Sequence, residues 1–151
     1  MTESLKTEIG ENFSAAHIGA WRDLARHVFN HPLLGSVPGK VFLKEPLRLT
    51  GMEISLGSIP PGRGTPFTHR HRENEEVYIF VQGRGQFLVD DRILEIGEGS
   101  VVRVAADGAR AWRNTGQEPL HYIVIQARAG TLVNGATDDA IDFDTGFSWS
   151  D

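Results

Sequence analysis

A short polar segment, HRHRENEE at residues 69–76, contains the residue types best suited to chemistry in this chain of 151 residues. In an extended backbone, residues two apart project from the same face, so His69 and His71 would point together. Two imidazoles and a carboxylate are ligands that zinc, iron, nickel and manganese accept, and they leave open positions for water, oxygen or substrate. We therefore predict a divalent metal site at His69, His71 and Glu76; two surface histidines on a strand are the alternative interpretation.

The residues that follow this segment favour a site at the edge of a barrel. Residues 77–81 form an apolar, strand-like run, and a Gly-x-Gly turn comes after it. Alternation along that strand places Glu76, Tyr78 and Phe80 on one face. A carboxylate that opens an apolar strand needs a partner, because burying it unpaired is costly. Tyr78 would lie beside Glu76, either in the wall of a pocket or in the core.

The elements that must position this segment are short strands separated by turns. Between residues 40 and 128, beta-prone runs alternate with turn signals about every ten residues, which indicates an all-β sandwich or barrel. We expect an N-terminal arm at residues 1–39, the barrel at 40–130 and an acidic tail at 131–151. That tail contains five acids and no base: Asp138, Asp139, Asp142, Asp144 and Asp151.

The N-terminal arm contains a weak helical pattern. Apolar residues recur at spacings of three and four from Ser14 onward, which predicts a short amphipathic helix with Ser14 as its N-cap. Pro32 would end that helix, since the residue before a proline avoids helical angles. The alternative is a loop that docks Trp21 on the barrel. The apolar residues of the pattern are Ile18, Trp21, Leu24, Ala25 and Val28.

Charge and composition exclude several classes of function. The net charge is -5, and outside the tail the chain contains fifteen acids and fifteen bases, so binding to nucleic acid is not expected. The absence of cysteine excludes disulfides and thiolate chemistry. The chain begins without the apolar run of a signal peptide and contains no run long enough to span a membrane. We therefore expect a cytoplasmic protein that binds no membrane.

Two motifs resemble those of the cupin family. A glycine loop, His-x-His, four residues, Glu, six residues and Gly match the first cupin motif at His69, His71, Glu76 and Gly83. The second motif normally supplies a third histidine four residues before an asparagine. Here the asparagine is Asn114, and Arg110 occupies the position of that histidine. The resemblance implies a double-stranded β-helix, or jelly-roll barrel, and a homodimer.

Arg110 leaves three interpretations of the site open. A metal bound by His69, His71 and Glu76 could have water or substrate completing its shell. His121, on the next strand, could reach in as a fourth ligand. Alternatively, the site contains no metal, and Arg110 occupies its space and pairs with Glu76. Alternation on its strand places Arg110 on the same face as Trp112 and Asn114.

Two functions follow from these interpretations. In the first, a divalent metal (iron, manganese, nickel or zinc) would support an enzyme of the dioxygenase, isomerase or lyase type. It would act on a small anionic molecule that Arg110 orients and that Tyr78 and Trp112 contact. In the second, the barrel would be a non-catalytic module that binds such a ligand without metal, with Arg110 in the pocket. The apolar outer residues Val77, Ile79 and Val81 would suit burial beneath a second copy of the chain or beneath a second sheet.

Overall fold

A computed structural model of the protein describes residues 4–141 and 146–150. Three acids of the predicted tail, Asp142, Asp144 and Asp151, lie outside the described residues. Two helices accompany the strands: a 3-10 helix (Trp21–Arg26) and a short α1 (Lys44–Leu47). The strands are β1 (Lys6–Ile9), β2 (Ser14–His17), β3 (Val28–His31), β4 (Gly35–Pro38), β5 (Lys40–Phe42), β6 (Glu53–Ile59), β7 (Asn74–Gln82), β8 (Arg84–Val89), β9 (Arg92–Gly97), β10 (Val101–Val104), β11 (Arg110–Asn114) and β12 (Leu120–Arg128).

Two antiparallel sheets enclose the main core. One has the order β10-β7-β12-β6-β5 and the other the order β11-β8-β9. Aromatic side chains from both sheets meet between them, among them the fully buried Tyr78, Phe80 and Phe87. Burial of such large apolar surfaces is the main force that holds sheets together. The predicted all-β barrel is thereby confirmed.

Alternation decides which side chains reach the interior. On β7, Glu76, Tyr78 and Phe80 are buried, whereas the residues between them are half-buried on the outer face. On β11, Arg110 and Trp112 are buried in the same way. Both facing patterns agree with the sequence analysis, because a strand turns successive side chains to opposite sides.

In place of the helix predicted from Ser14 onward, the structure has a strand, β2, followed by a 3-10 helix. Ser14 begins β2 and pairs with Ile9 of β1, and its hydroxyl donates a hydrogen bond to the Leu47 carbonyl at 2.6 Å. Only the segment Trp21–Arg26 is helical, and it is a 3-10 helix. Gly19 lies between them with φ +86°, a left-handed conformation that no continuous helix can contain. Ser14 as an N-cap is therefore wrong.

The N-terminal region packs on the outer face of the larger sheet. Leu24 is 1% exposed and forms a second apolar cluster with Val41 and Leu43. Trp21 of the 3-10 helix and Ile54 of β6 pack against that cluster. Part of the predicted arm therefore packs against the outer face of the barrel.

The described part of the tail is exposed. Apolar residues there include Ile141, Phe147 and Trp149, of which the last is 87% exposed. The rings of Phe147 and Trp149 contact each other with centroids 4.9 Å apart. Within residues 4–141 and 146–150, no helix has the length and apolar character needed to cross a membrane.

Candidate metal centre and its cavity

The two histidines of the polar segment are held by backbone hydrogen bonds to β11 and to the loop that precedes it. The His69 amide donates to the Arg110 carbonyl at 3.1 Å, and the Arg110 amide donates back at 3.0 Å. The His71 amide donates to the Ala106 carbonyl at 2.9 Å. These bonds fix an extended backbone, so the two imidazoles project from one face, with ring centroids 5.2 Å apart.

Glu76, near the start of β7, brings a buried carboxylate to the two imidazoles. Its Oε1 lies 2.8 Å from His71 Nε2, and its Oε2 lies 3.8 Å from His69 Nε2. The Tyr78 hydroxyl, two residues along the same face, donates a hydrogen bond to Oε2. One ligand atom from each of His69, His71 and Glu76 lies within 4.8 Å of the others. The three predicted metal-binding side chains are therefore together in space.

Arg110 points inward and lies beside the same carboxylate. Its side chain is fully buried, and its Nε is 3.7 Å from Glu76 Oε2. Its Nη1 and Nη2 atoms donate to the carbonyls of His69 and Ala105, at 3.3 and 3.2 Å. Arg110 does not line the cavity described below. Its guanidinium therefore neutralises Glu76 from within the barrel wall.

The surroundings of Glu76 keep its carboxylate ionised. Burial raises the pKa of Glu76, but the side chains of His69 and Tyr78 and the charges of His71 and Arg110 outweigh it and lower the pKa to about 2. Burial, together with the neighbouring Glu76 charge, raises the pKa of Tyr78 well above its usual range. Tyr78 is thus a neutral donor that orients the carboxylate.

His121, the predicted fourth ligand, lies elsewhere. Its neighbours Leu120 and Tyr122 belong to the interior core, so alternation turns His121 toward the outer face of β12. There its ring stacks on Trp21 with centroids 5.4 Å apart. Among the described residues neither ring nitrogen has a hydrogen-bond partner, and burial lowers the pKa of His121. The structure does not bring His121 to the three donors.

A cavity of about 360 Å³ opens onto the three donors. Tyr78 and Trp112 line it, as the sequence analysis proposed for ligand contacts. Trp112 is 8% exposed, and no described residue accepts a hydrogen bond from its Nε1. That nitrogen is itself buried from solvent, so this donor is not exposed to the cavity.

The sequence analysis missed one wall of this cavity. It is formed by residues of β3, the β3–β4 turn, β4 and β5: Phe29, His31, Leu34, Val37, Lys40 and Phe42. His31 Nδ1 also holds the β3–β4 turn, because it accepts hydrogen bonds from the amides of Leu33 and Leu34 at 3.0 and 3.2 Å. Val28 and Phe29, a β-branched and an aromatic residue ahead of the turn residues Asn30 and Pro32, are the signal that could have indicated a strand there.

An antiparallel barrel with two histidines and a glutamate at one side of an internal cavity defines a recognisable class of β proteins. The family model of the cupin domain matches residues 55–126. A cupin protein from Bacteroides fragilis is 35% identical, with 69% of this chain and 88% of that chain covered and a TM-score of 0.67. The chain belongs to the cupin family.

Two other solved structures are similar at lower identity. A protein from Acidithiobacillus ferrooxidans, provisionally named a sugar phosphate isomerase, is 28% identical over 59% of this chain and 58% of that chain, with a TM-score of 0.54. A cupin 2 conserved barrel domain protein from Salinispora arenicola is 18% identical over 68% of this chain and 82% of that chain, with a TM-score of 0.55. The search of curated proteins gave no match.

Proposed function

We propose that this cupin binds a divalent metal ion through His69, His71 and Glu76 and a small organic anion in the adjoining cavity. The observation that supports this proposal is the convergence of three ligand atoms within 4.8 Å beside a cavity of about 360 Å³. Two imidazoles and an ionised carboxylate suit iron, manganese, nickel or zinc. A metal bound there would supply Lewis-acid chemistry or oxygen activation.

The chain's own residues would prepare the site for this task. Tyr78 orients the Glu76 carboxylate through its hydroxyl, and His69, Tyr78, His71 and Arg110 together keep that carboxylate ionised. Trp112 contributes to the lining of the cavity. We propose an enzyme of the isomerase, dioxygenase or lyase type on this basis.

The lining of the cavity bears on the class of substrate. The Acidithiobacillus ferrooxidans protein suggests a sugar phosphate as one candidate. Yet the wall from β3 to β5 is largely aromatic and aliphatic, including Phe29, Val37 and Phe42. Such a wall offers few partners to sugar hydroxyls, whose burial without hydrogen bonds is unfavourable. We therefore favour a ligand with an apolar body.

The second candidate function is a non-catalytic module that binds its ligand without metal. The contact between Arg110 and Glu76 favours this alternative, because the carboxylate already has a positive partner 3.7 Å away. A fixed positive charge also repels an incoming dication. The two candidates thus differ in whether the three donors bind a metal.

Metal titration of the purified protein separates the two candidates. After treatment with a chelator, calorimetric titration with Zn²⁺ and Mn²⁺ should show one site per chain, and a His69→Ala/His71→Ala variant should lose it. The exposed His17 and the outward-facing His121 provide matched controls, so His17→Ala and His121→Gln should each retain the site. Metal binding that is absent, or unchanged in the double variant, would reject the metal site.

We also propose that the protein is a cytoplasmic homodimer. The half-buried outer residues Val77, Ile79 and Val81 of β7 support the dimer, because they form an apolar stripe on the sheet. Light scattering at micromolar concentration tests this proposal, and a monomer would contradict it.

A further inference from the structure

Lys40, at the start of β5, places a positive charge in the cavity wall. Its Nζ lies 5.1 Å from the centroid of the Tyr122 ring and 5.3 Å from that of Phe42. No hydrogen bond or ion pair to Nζ comes from any residue that the structure describes. The two aromatic faces attract the ammonium group without neutralising it, so its charge is available to a ligand.

Strand register and one glycine build this position. Lys40 pairs with Gly57 across β5 and β6, and Gly57 pairs with Tyr122 across β6 and β12. A Cβ at Gly57 would lie 2.1 Å from Cζ of the Tyr122 ring. Because Gly57 has no side chain, the Tyr122 ring can cross the middle strand and approach Lys40. The next row, Phe42, Ser55 and Val124, continues the cavity wall on the same face.

The Lys40 ammonium group is buried without an anionic group in contact with it among the described residues. Burial lowers the pKa of Lys40 to about 8, against the opposing charges of Glu76 and Glu53, which raise it. At neutral pH the side chain is therefore mostly an ammonium group in apolar surroundings. Burying a charge without a partner is unfavourable, and an anion that enters the cavity removes this penalty.

We infer that Lys40 is the residue that binds the anionic group of the ligand, and that this ligand is a small carboxylate with an apolar body. One ammonium group between two rings matches a monoanion, whereas a phosphate ester would call for several donors. Arg110, to which the sequence analysis gave this role, is buried behind Glu76 and does not line the cavity. The inference rests on the proposed function only in that the cavity binds a small organic anion, and it requires no metal.

A pair of probes that differ in charge but hardly in shape tests this inference. Benzoate and benzamide should be titrated by calorimetry into chelator-treated protein, so that no metal contributes. The expected result is that benzoate binds about tenfold or more tightly than benzamide, because a charged contact replaces a neutral one. Lys40→Met should lose this preference. The exposed Lys44, four residues away, supplies the matched control, and Lys44→Met should keep it.

The outcomes distinguish this inference from the proposed metal site. Equal binding of the two probes to the unchanged protein, or a benzoate preference that persists in Lys40→Met, would overturn the role of Lys40. A preference that persists in the His69→Ala/His71→Ala variant supports Lys40, even where the metal titration has failed. Loss of the preference in Lys44→Met would also contradict the inference, since the effect would then be a general one of charge.

Discussion

Arg110 and Lys40 both place a positive charge inside this barrel, and they differ in whether an anionic group contacts that charge. Arg110 has a carboxylate 3.7 Å from its Nε and donates to two backbone carbonyls, and it does not line the cavity. Lys40 lines the cavity between two aromatic rings and has neither an ion pair nor a hydrogen bond among the described residues. Arg110 is thus paired with a carboxylate of the protein, whereas the ammonium group of Lys40 has no anionic group in contact with it among the described residues.

The largest expected effect comes from removing the paired cation. Arg110→Met should lower the free energy of unfolding by about 3–5 kcal/mol, because it removes the buried cation beside Glu76 and the hydrogen bonds to the carbonyls of His69 and Ala105. Urea denaturation of chelator-treated protein measures this change. A variant within about 0.5 kcal/mol of the unchanged protein would show that the contact between Arg110 and Glu76 contributes little.

A second test removes the charge of Glu76 with acid. The pKa of Glu76 is about 2 in the folded protein, below its ordinary value of 4.5, so its contribution is complete above pH 4.5 and is lost as the pH falls toward 2. The difference in unfolding free energy between the unchanged protein and Glu76→Gln should therefore shrink by about 3 kcal/mol over this range. A difference that does not vary with pH would contradict the environment described for Glu76.

The unpaired cation should behave in the opposite way. Lys40→Met should raise the free energy of unfolding by roughly 1–3 kcal/mol at pH 7, since it removes a buried charge without a partner. The folded pKa of about 8 lies below the ordinary 10.5, so the gain should be complete below pH 8 and vanish above pH 10.5. Lys44→Met should change stability by less than about 0.5 kcal/mol. A destabilised Lys40→Met would remove the contrast with Arg110.

The smallest effect concerns metal affinity. Arg110→His removes the positive charge beside Glu76 and restores the third histidine that cupin motifs normally supply, so Zn²⁺ should bind on the order of tenfold more tightly than in the unchanged protein. Competition with a chromophoric chelator measures this ratio. Unchanged or weaker affinity would contradict the expectation that the charge of Arg110 opposes metal binding at the three donors.

Much of the candidate metal centre could be predicted because its geometry is local. His69, His71 and Glu76 lie within eight residues of one another, and period-two alternation was enough to place them and Tyr78. The same alternation placed Arg110 on the inner face. Its distance from the cavity could not be predicted, because it depends on how β11 packs against the polar segment.

The remaining features depend on contacts between distant segments. Lys40 owes its surroundings to Gly57 and Tyr122, which only the register of three strands brings beside it. The facing of His121 was left open because either face of its strand could point inward, and only its stacking on Trp21 of the distant 3-10 helix decides between them. Spacings of three and four predicted a helix from Ser14, but they took no account of the left-handed Gly19.

The hairpin of β3 and β4 forms a wall of the cavity that is separate in sequence from the candidate metal ligands. The atoms suited to reaction come from residues 69–76, whereas much of the opposing wall comes from residues 29–42, on the N-terminal side of most of the barrel. Substitutions at Phe29 or Val37 can therefore reshape what the cavity accepts while the three donors stay in place. Selectivity and reactivity are thus encoded largely in separate stretches of the chain.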